Sequence, residues 1–239
     1  GLPPAYLRSH APQVKSLFTI HNLAYQGLFE PWNFPELGLP AEAFQVEVSS
    51  AVAGLDRAMA YDQPFDSVMQ AGYGEHGREG LQELLNVPVV DITDAAASTA
   101  MFLGHAYSVV TTLDRTVPLI EGRLKLSGLW DRCASVRASG LAVLELEHEA
   151  QRALEAIVHQ AELAVTQDKA EVICLGCGGM AGLDEQIRQR TGVPVIDGVT
   201  AAVTIAESLV RLGLSTSKVR TYATPRPKKI IGWPGRFGR

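Results

Sequence analysis

Cys177 is the residue of this chain best placed to do chemistry. It sits in Val172-Ile-Cys-Leu-Gly-Cys-Gly-Gly-Met-Ala181, behind an apolar strand and ahead of a helix, with Gly176, Gly178 and Gly179 around it. A thiol at a helix start is expected to ionise more readily and to shuttle a proton near neutral pH. Glycines beside it let a ligand approach the backbone, whose N–H groups can hold an enolate oxygen. Taken from local context alone, the same residue also reads as a buried structural thiol. Cys174, three positions back in the strand, is expected to point into the core, and Cys133 is expected to pack at the start of another strand. Cys174 and Cys177 have C-x-x-C spacing, but no second cysteine or histidine pair completes a zinc site.

The cysteine turn has an internal counterpart. Val68-Met-Gln-Ala-Gly-Tyr-Gly74, Val87-Pro-Val-Val-Asp91 and Thr93-Asp-Ala-Ala96 are echoed by Val172 to Gly179, Val193-Pro-Val-Ile-Asp197 and Val199-Thr-Ala-Ala202. The offset is 105 residues in the first block and 106 in the second. Each copy reads as a buried strand, a glycine turn, a helix, a Val-Pro-Val strand ending in Asp, and an alanine-rich helix. In this alignment Gly72 falls where Cys177 stands. Two such halves facing each other bring both turns to one cleft. That suits proton transfer on opposite faces of a single carbon beside a carbonyl, and racemisation is the plainest case.

To hold those turns the chain needs a mostly parallel sheet covered by helices on both faces. Strands are predicted at Ser67–Ala71, Val87–Asp91, Tyr107–Thr111, Cys133–Arg137, Ala170–Leu175 and Pro194–Asp197, with an earlier one at Ser16–Ile20. Helices are predicted at Arg78–Leu85, Asp94–Leu103, Val117–Leu126, His148–Gln167, Asp184–Arg190 and Ala201–Leu212. The fold class is α/β, with two similar parallel-sheet half-domains, a cleft between them, and the first half truncated at its N-terminus. The halves are placed at 49–105, joined by 200–239, and at 106–199. In such sheets, sites form at the carboxyl ends of the strands.

The 239 residues are 46% hydrophobic and carry a formal charge of −5, which offers no basic face for nucleic acid or an anionic membrane. The basic tail from Arg226 to Arg239 reads as a solvated terminus. No apolar run nears the roughly 20 residues that cross a bilayer, no leader opens the chain, and three cysteines make no disulfide scaffold. A reduced, cytoplasmic protein is the expectation.

From about Val52 to Pro234 the chain resembles the hydantoin and allantoin racemases of the aspartate/glutamate racemase superfamily. The stretches that carry this are Ala71-Gly-Tyr-Gly-Glu-His-Gly77, Tyr107-Ser-Val-Val-Thr-Thr-Leu-Asp-Arg-Thr116, Arg132-Cys-Ala-Ser-Val-Arg137, Val172 to Ala181 and Val193-Pro-Val-Ile-Asp-Gly-Val199. The resemblance implies two facing cysteines as acid and base, no cofactor, no metal, a cyclic ureide as small-molecule partner, and a tendency to form homo-oligomers. It maps one catalytic cysteine onto Cys177. It places ligand contacts at Thr111, Thr112, Gly178, Gly179, Gly198 and Val199, and around Gly72 and Tyr73. The other family cysteine is replaced here by Gly72. Glu75 or His76 is the candidate substitute, and both also read as solvated residues at a helix start. A relative with one catalytic cysteine, arylmalonate decarboxylase, makes a decarboxylase-like variant an alternative.

Residues 1–48 resemble something else. Val14 to Leu28 and Leu37 to Gln45 are similar to an internal piece of bacterial glycogen (starch) synthase, with His21 in a His-Asn turn. The nucleotide-sugar loop of that family is missing, so a glycosyltransferase is the least supported function. The chain thus reads as a junction near 46–49, with the family's first strand and its Asn-Pro-Asn motif lost and activity expected to be weak or absent. A non-catalytic fusion that keeps a ureide pocket is the competing class. Strand Ser16–Ile20 is the one segment that could fill the gap.

Overall fold

Strands buried at every position, as Ser67–Ala71, Tyr107–Thr111 and Val172–Leu175 are, need cover on both faces, and helices supply it. The computed structural model describes residues 17–21, 65–74 and 76–226; Glu75, the 46–49 junction and the tail after Arg226 lie outside these. In chain order the first half contains β1 (Leu17–His21), β2 (Ser67–Ala71), α1 (Arg78–Leu84), β3 (Val89–Asp91) and α2 (Ile92–Ala100). Next come β4 (Tyr107–Thr111), α3 (Val117–Leu126), β5 (Cys133–Ala138), α4 (Val143–His148), α5 (Ala150–Thr166) and β6 (Val172–Leu175). The last are α6 (Asp184–Thr191), β7 (Val195–Asp197) and α7 (Gly198–Arg211). The described strands form two parallel sheets, ordered β1-β2-β3 and β5-β4-β6-β7.

Strand register reproduces the repeat. In the first sheet Val68 pairs with Val89 and Gln70 with Asp91; in the second, Ile173 pairs with Val195 and Leu175 with Asp197. These pairs differ by 105 residues on one strand and 106 on the other, as the sequence blocks do. Each Val-Pro-Val strand is tied at the same place: Val68 N donates to the Pro88 carbonyl (2.9 Å) and Ile173 N to the Pro194 carbonyl (3.0 Å). Gly72 and Cys177 each lie two residues beyond the last of these pairs.

The helices after the Val-Pro-Val strands start earlier than the sequence suggested, at Ile92 instead of Asp94 and at Gly198 instead of Ala201. The cause is capping. The Asp91 carboxylate accepts from Asp94 N (2.7 Å) and the Asp197 carboxylate from Val199 N (2.9 Å), so each helix begins directly after its aspartate. These two helix starts touch. A methyl group built on Gly198 would stand 2.8 Å from the Ile92 carbonyl oxygen. Ile92 and Gly198 are equivalent in the repeat, and equivalent residues meet where halves are related by a two-fold axis.

The helix predicted at His148–Gln167 is α5, Ala150–Thr166, and a separate short helix precedes it. Glu149, at φ −127° and ψ 52°, breaks the run, and α4 ahead of it was not foreseen. Its first turn is held by the Glu145 carboxylate, which accepts from Ala142 N at 2.7 Å. α5 buries Ala153, Ile157, Ala161 and Ala164 on one face, against Ile173, Leu175 and Ile187. A second cluster, with Met69, Val90, Ile92, Val109, Ile120, Cys174 and Ala202, joins the two halves.

β1 lies one residue later than expected and takes the outer place beside β2, with Leu17 level with Ser67 and His21 level with Ala71. The first half therefore has a strand where the family's first strand was expected to be missing. After α7 the chain returns to that half: Thr216 N donates to the Asn86 carbonyl (3.0 Å), and Lys218 Nζ to those of Gln82 (2.6 Å) and Glu83 (2.9 Å).

Candidate active site

The carboxyl ends of β2 and β6 face each other across the join. A methyl group built on Gly178 would stand 3.2 Å from the Ala71 carbonyl oxygen and 4.0 Å from Val199 Cγ2. The cysteine turn, the Gly72 bend and the start of α7 therefore converge on one spot. Glycine at 178 permits this approach, because any side chain would press on the opposite backbone.

Cys177 is extended (φ −158°, ψ 138°) and is followed by a short 3-10 turn, Gly178–Met180, whose Met180 N donates to the Cys177 carbonyl at 3.0 Å. The thiol is largely enclosed. Val143 and Leu146 of α4 stand beside Gly179, each 3.4 Å from a methyl group built there, and the Cys177 sulfur is 3.7 Å from the same point. The expected lowering of the thiol's pKa is not found. Burial pushes it above the ordinary thiol value, and a hydrogen bond from Gly179 N–H only partly opposes that. A single 3-10 turn lacks the aligned peptides of an α-helix, and α6 begins only at Asp184. Cys174 is fully buried in the core and Cys133 half-buried at the start of β5, as expected of packing thiols.

At the other turn, the space a side chain would occupy on Gly72 is filled by the imidazole of His76. A methyl group built on Gly72 would lie 2.6 Å from His76 Cδ2. The ring's Nε2 is 3.1 Å from the Tyr73 carbonyl, and Gln70 Nε2 donates to the His76 carbonyl at 2.5 Å. Gly74 (φ 117°) and Gly77 (φ 84°) supply the left-handed backbone that folds the loop back on itself. Glu75, the other candidate here, falls outside the described residues.

The remaining sequence candidates divide. Tyr73 is 8% exposed, with its ring in the core; burial pushes its hydroxyl well up, and that hydroxyl has no hydrogen-bond partner among the described residues. Only its backbone faces the bend. The next amide, Gly74 N–H, is already taken by the Thr93 hydroxyl at 2.9 Å. Thr111 is buried and donates to the Gly176 carbonyl (3.1 Å), so it braces the cysteine turn. Thr112 is buried beside it, and its carbonyl accepts from Gly140 N at 2.8 Å. Gly198 and Val199 are the first residues of α7 and not a loop. Val199 faces Gly178, while Gly198 makes the contact between halves.

Sequence reasoning missed the anchor beneath the Gly72 loop. Arg123, 1% exposed, reaches from α3 to Glu79 (2.6 Å), Asp91 (3.2 Å) and Asp94 (2.8 Å). Arg78 joins Asp94 and Glu79 from the start of α1, and Ser127 donates to Asp94 at 2.7 Å. Burial opposes the charge on Glu79, yet Arg123 outweighs it and holds the carboxyl down at about 2. Burial, with Asp94 next to it, pushes Asp91 up. Three carboxylates near one short stretch of sequence signal a need for a cation, although not which one.

This arrangement has known counterparts. The family model described as Asp/Glu/Hydantoin racemase matches residues 31–206. The chain belongs to this family. Hydantoin racemase of Rhizobium meliloti is 44% identical to it over 170 residues, which cover 71% of this chain and 70% of that protein. The crystal structure of allantoin racemase from Pseudomonas fluorescens superposes with a TM-score of 0.78 at 67% identity, covering 91% of this chain and all of that one. Glycogen synthase of Variovorax paradoxus is 34% identical over 127 residues, 44% of this chain but only 26% of the synthase. The racemase-family match starts at residue 31, inside the 1–48 segment that resembles the synthase. Among the described residues no helix is long and apolar enough to cross a membrane.

Proposed function

We propose that the chain racemises a cyclic ureide, a hydantoin or allantoin, by proton transfer at the carbon next to a carbonyl, with the Cys177 thiol as one proton carrier. The observation that carries this is the approach of Gly178 to the Ala71 carbonyl, which sets the thiol-bearing turn against its equivalent, the Gly72 bend. The likeness to hydantoin racemase of Rhizobium meliloti and allantoin racemase of Pseudomonas fluorescens supports the substrate class. Loss of the C–H proton leaves an enolate. The Gly178 N–H, first of the Gly178–Met180 turn, is suited to its oxygen. Burial favours the neutral thiol, the form that gives a proton. The Gly179 N–H offsets part of the cost of the thiolate, the form that takes one. Val143 and Leu146 supply an apolar wall beside Gly179, next to the half-buried sulfur.

The test is deuterium incorporation from solvent at C5 of each enantiomer of a 5-substituted hydantoin and of allantoin. Cys177→Ala is expected to abolish racemisation and to stop exchange from at least one enantiomer. Unchanged exchange from both overturns the assignment. Glycine at position 72 favours one alternative, a site that protonates from the thiol side only, as a decarboxylase-like variant would. Turnover of an aryl-malonate without any racemisation would select it. Thermal stabilisation by hydantoin without isotope exchange would select a binding protein.

A further inference from the structure

We propose that His76 is the second proton carrier, acting on the substrate from the face opposite Cys177, so that one imidazole and one thiol form the pair. This rests on the racemase reading above and names the group that the bare Gly72 leaves unassigned. The imidazole occupies the volume of the missing side chain: its Cδ2, Cγ and Nε2 lie 2.6, 3.1 and 3.2 Å from where a Gly72 Cβ would be. Gly72 holds the place in its copy of the repeat that Cys177 holds in the other, two residues past the paired Gln70 and Leu175. That volume sits at the bend that abuts the cysteine turn, where the Ala71 carbonyl oxygen is 3.2 Å from a methyl group built on Gly178.

The hydrogen bonds set the tautomer. A carbonyl oxygen only accepts, so the 3.1 Å contact with Tyr73 places the proton on Nε2. Nδ1 is then the bare nitrogen, and it has no hydrogen-bond partner among the described residues. The pair is then an imidazole with an open lone pair and a half-buried thiol. For one enantiomer Nδ1 takes the C–H proton, the bond electrons pass into the enolate, and Sγ–H protonates the other face. Imidazolium and thiolate remain. For the other enantiomer the thiolate takes the proton and the imidazolium returns one. Both forms of the pair hold the same number of protons, so the steps balance without a further reactant.

The experiment follows solvent deuterium into each enantiomer separately. His76→Asn retains an N–H for the Tyr73 carbonyl but no base. It is expected to lower exchange from one enantiomer about 100-fold or more while exchange from the other persists through Cys177. Cys177→Ala is expected to give the mirror pattern. A loss of folded protein lowers both rates together and leaves their ratio unchanged, and His76→Gln repeats the test with a different fit. In the double variant Gly72→Cys with His76→Ala, a thiol enters the vacated volume and exchange from the lost enantiomer returns. Equal loss for both enantiomers in the His76 variants, or no recovery in the double variant, overturns the role of His76 while leaving that of Cys177. Absence of exchange from either enantiomer in the unmodified chain overturns both.

Discussion

The Gly72 bend and the Cys177 turn hold equivalent places in two copies of one strand–turn–helix unit, yet they are furnished differently. The second copy carries its reactive atom on the residue at that place. The first leaves that residue bare and folds an imidazole over it from four positions along the chain. The supports differ as well. Asp197 caps its helix and takes a second bond from the Thr200 hydroxyl at 2.7 Å, a purely local arrangement. Asp91 caps its helix but is 1% exposed and depends on Arg123 from a distant helix. Duplication fixes where groups stand, and each copy is then free to change what stands there and what holds it.

The two aspartates are where this difference is largest. Arg123→Met leaves Asp91 and Asp94 without their buried cation, and the expected cost is about 3–5 kcal/mol in urea unfolding. Asp197→Ala removes only a cap, at about 1 kcal/mol. Equal costs would mean that the copies are supported alike. The contact between copies gives a smaller effect. Gly198→Ala drives a methyl to 2.8 Å from the Ile92 carbonyl, a backbone atom that cannot swing aside, and about 1–3 kcal/mol of stability should be lost in thermal melting. No loss would show that the halves do not meet there.

The mildest test concerns the thiols. Because burial raises the pKa of Cys177 above the ordinary 9.0, its alkylation by iodoacetamide should climb about tenfold per pH unit and level off only above that value. Mass spectrometry should find Cys174, fully buried, unlabelled while the protein stays folded. A plateau below 9.0 would show that the turn, and not burial, governs the sulfur.

Much of the fold was legible because the repeat blocks are apolar runs with fixed punctuation. Val-Pro-Val-x-Asp marked both short strands, although they begin at Val89 and Val195, after the predicted Val87 and Pro194. The helix starts were placed too late because each aspartate was read as the end of a strand and not also as a cap. The short helix Val143–His148 was missed because six residues are too few to show a helical period, whereas the long apolar face of α5 showed it plainly. Cys177 stood out through its glycines, but its enclosure by α4 did not, and the direction of its pKa was therefore misjudged. His76 was named as a candidate from proximity alone. Its position over Gly72 depends on the left-handed backbone at Gly74 and Gly77, which spacing does not encode. Arg123 was invisible because a single arginine on a helix ordinarily faces water.

The touching point of Ile92 and Gly198 also bears on what position 198 can become. A methyl group there would meet the Ile92 carbonyl oxygen at 2.8 Å and the Ile92 Cβ at 3.2 Å, inside a join that side chains already fill. Any residue but glycine at 198 would thus have to push the two helix starts apart.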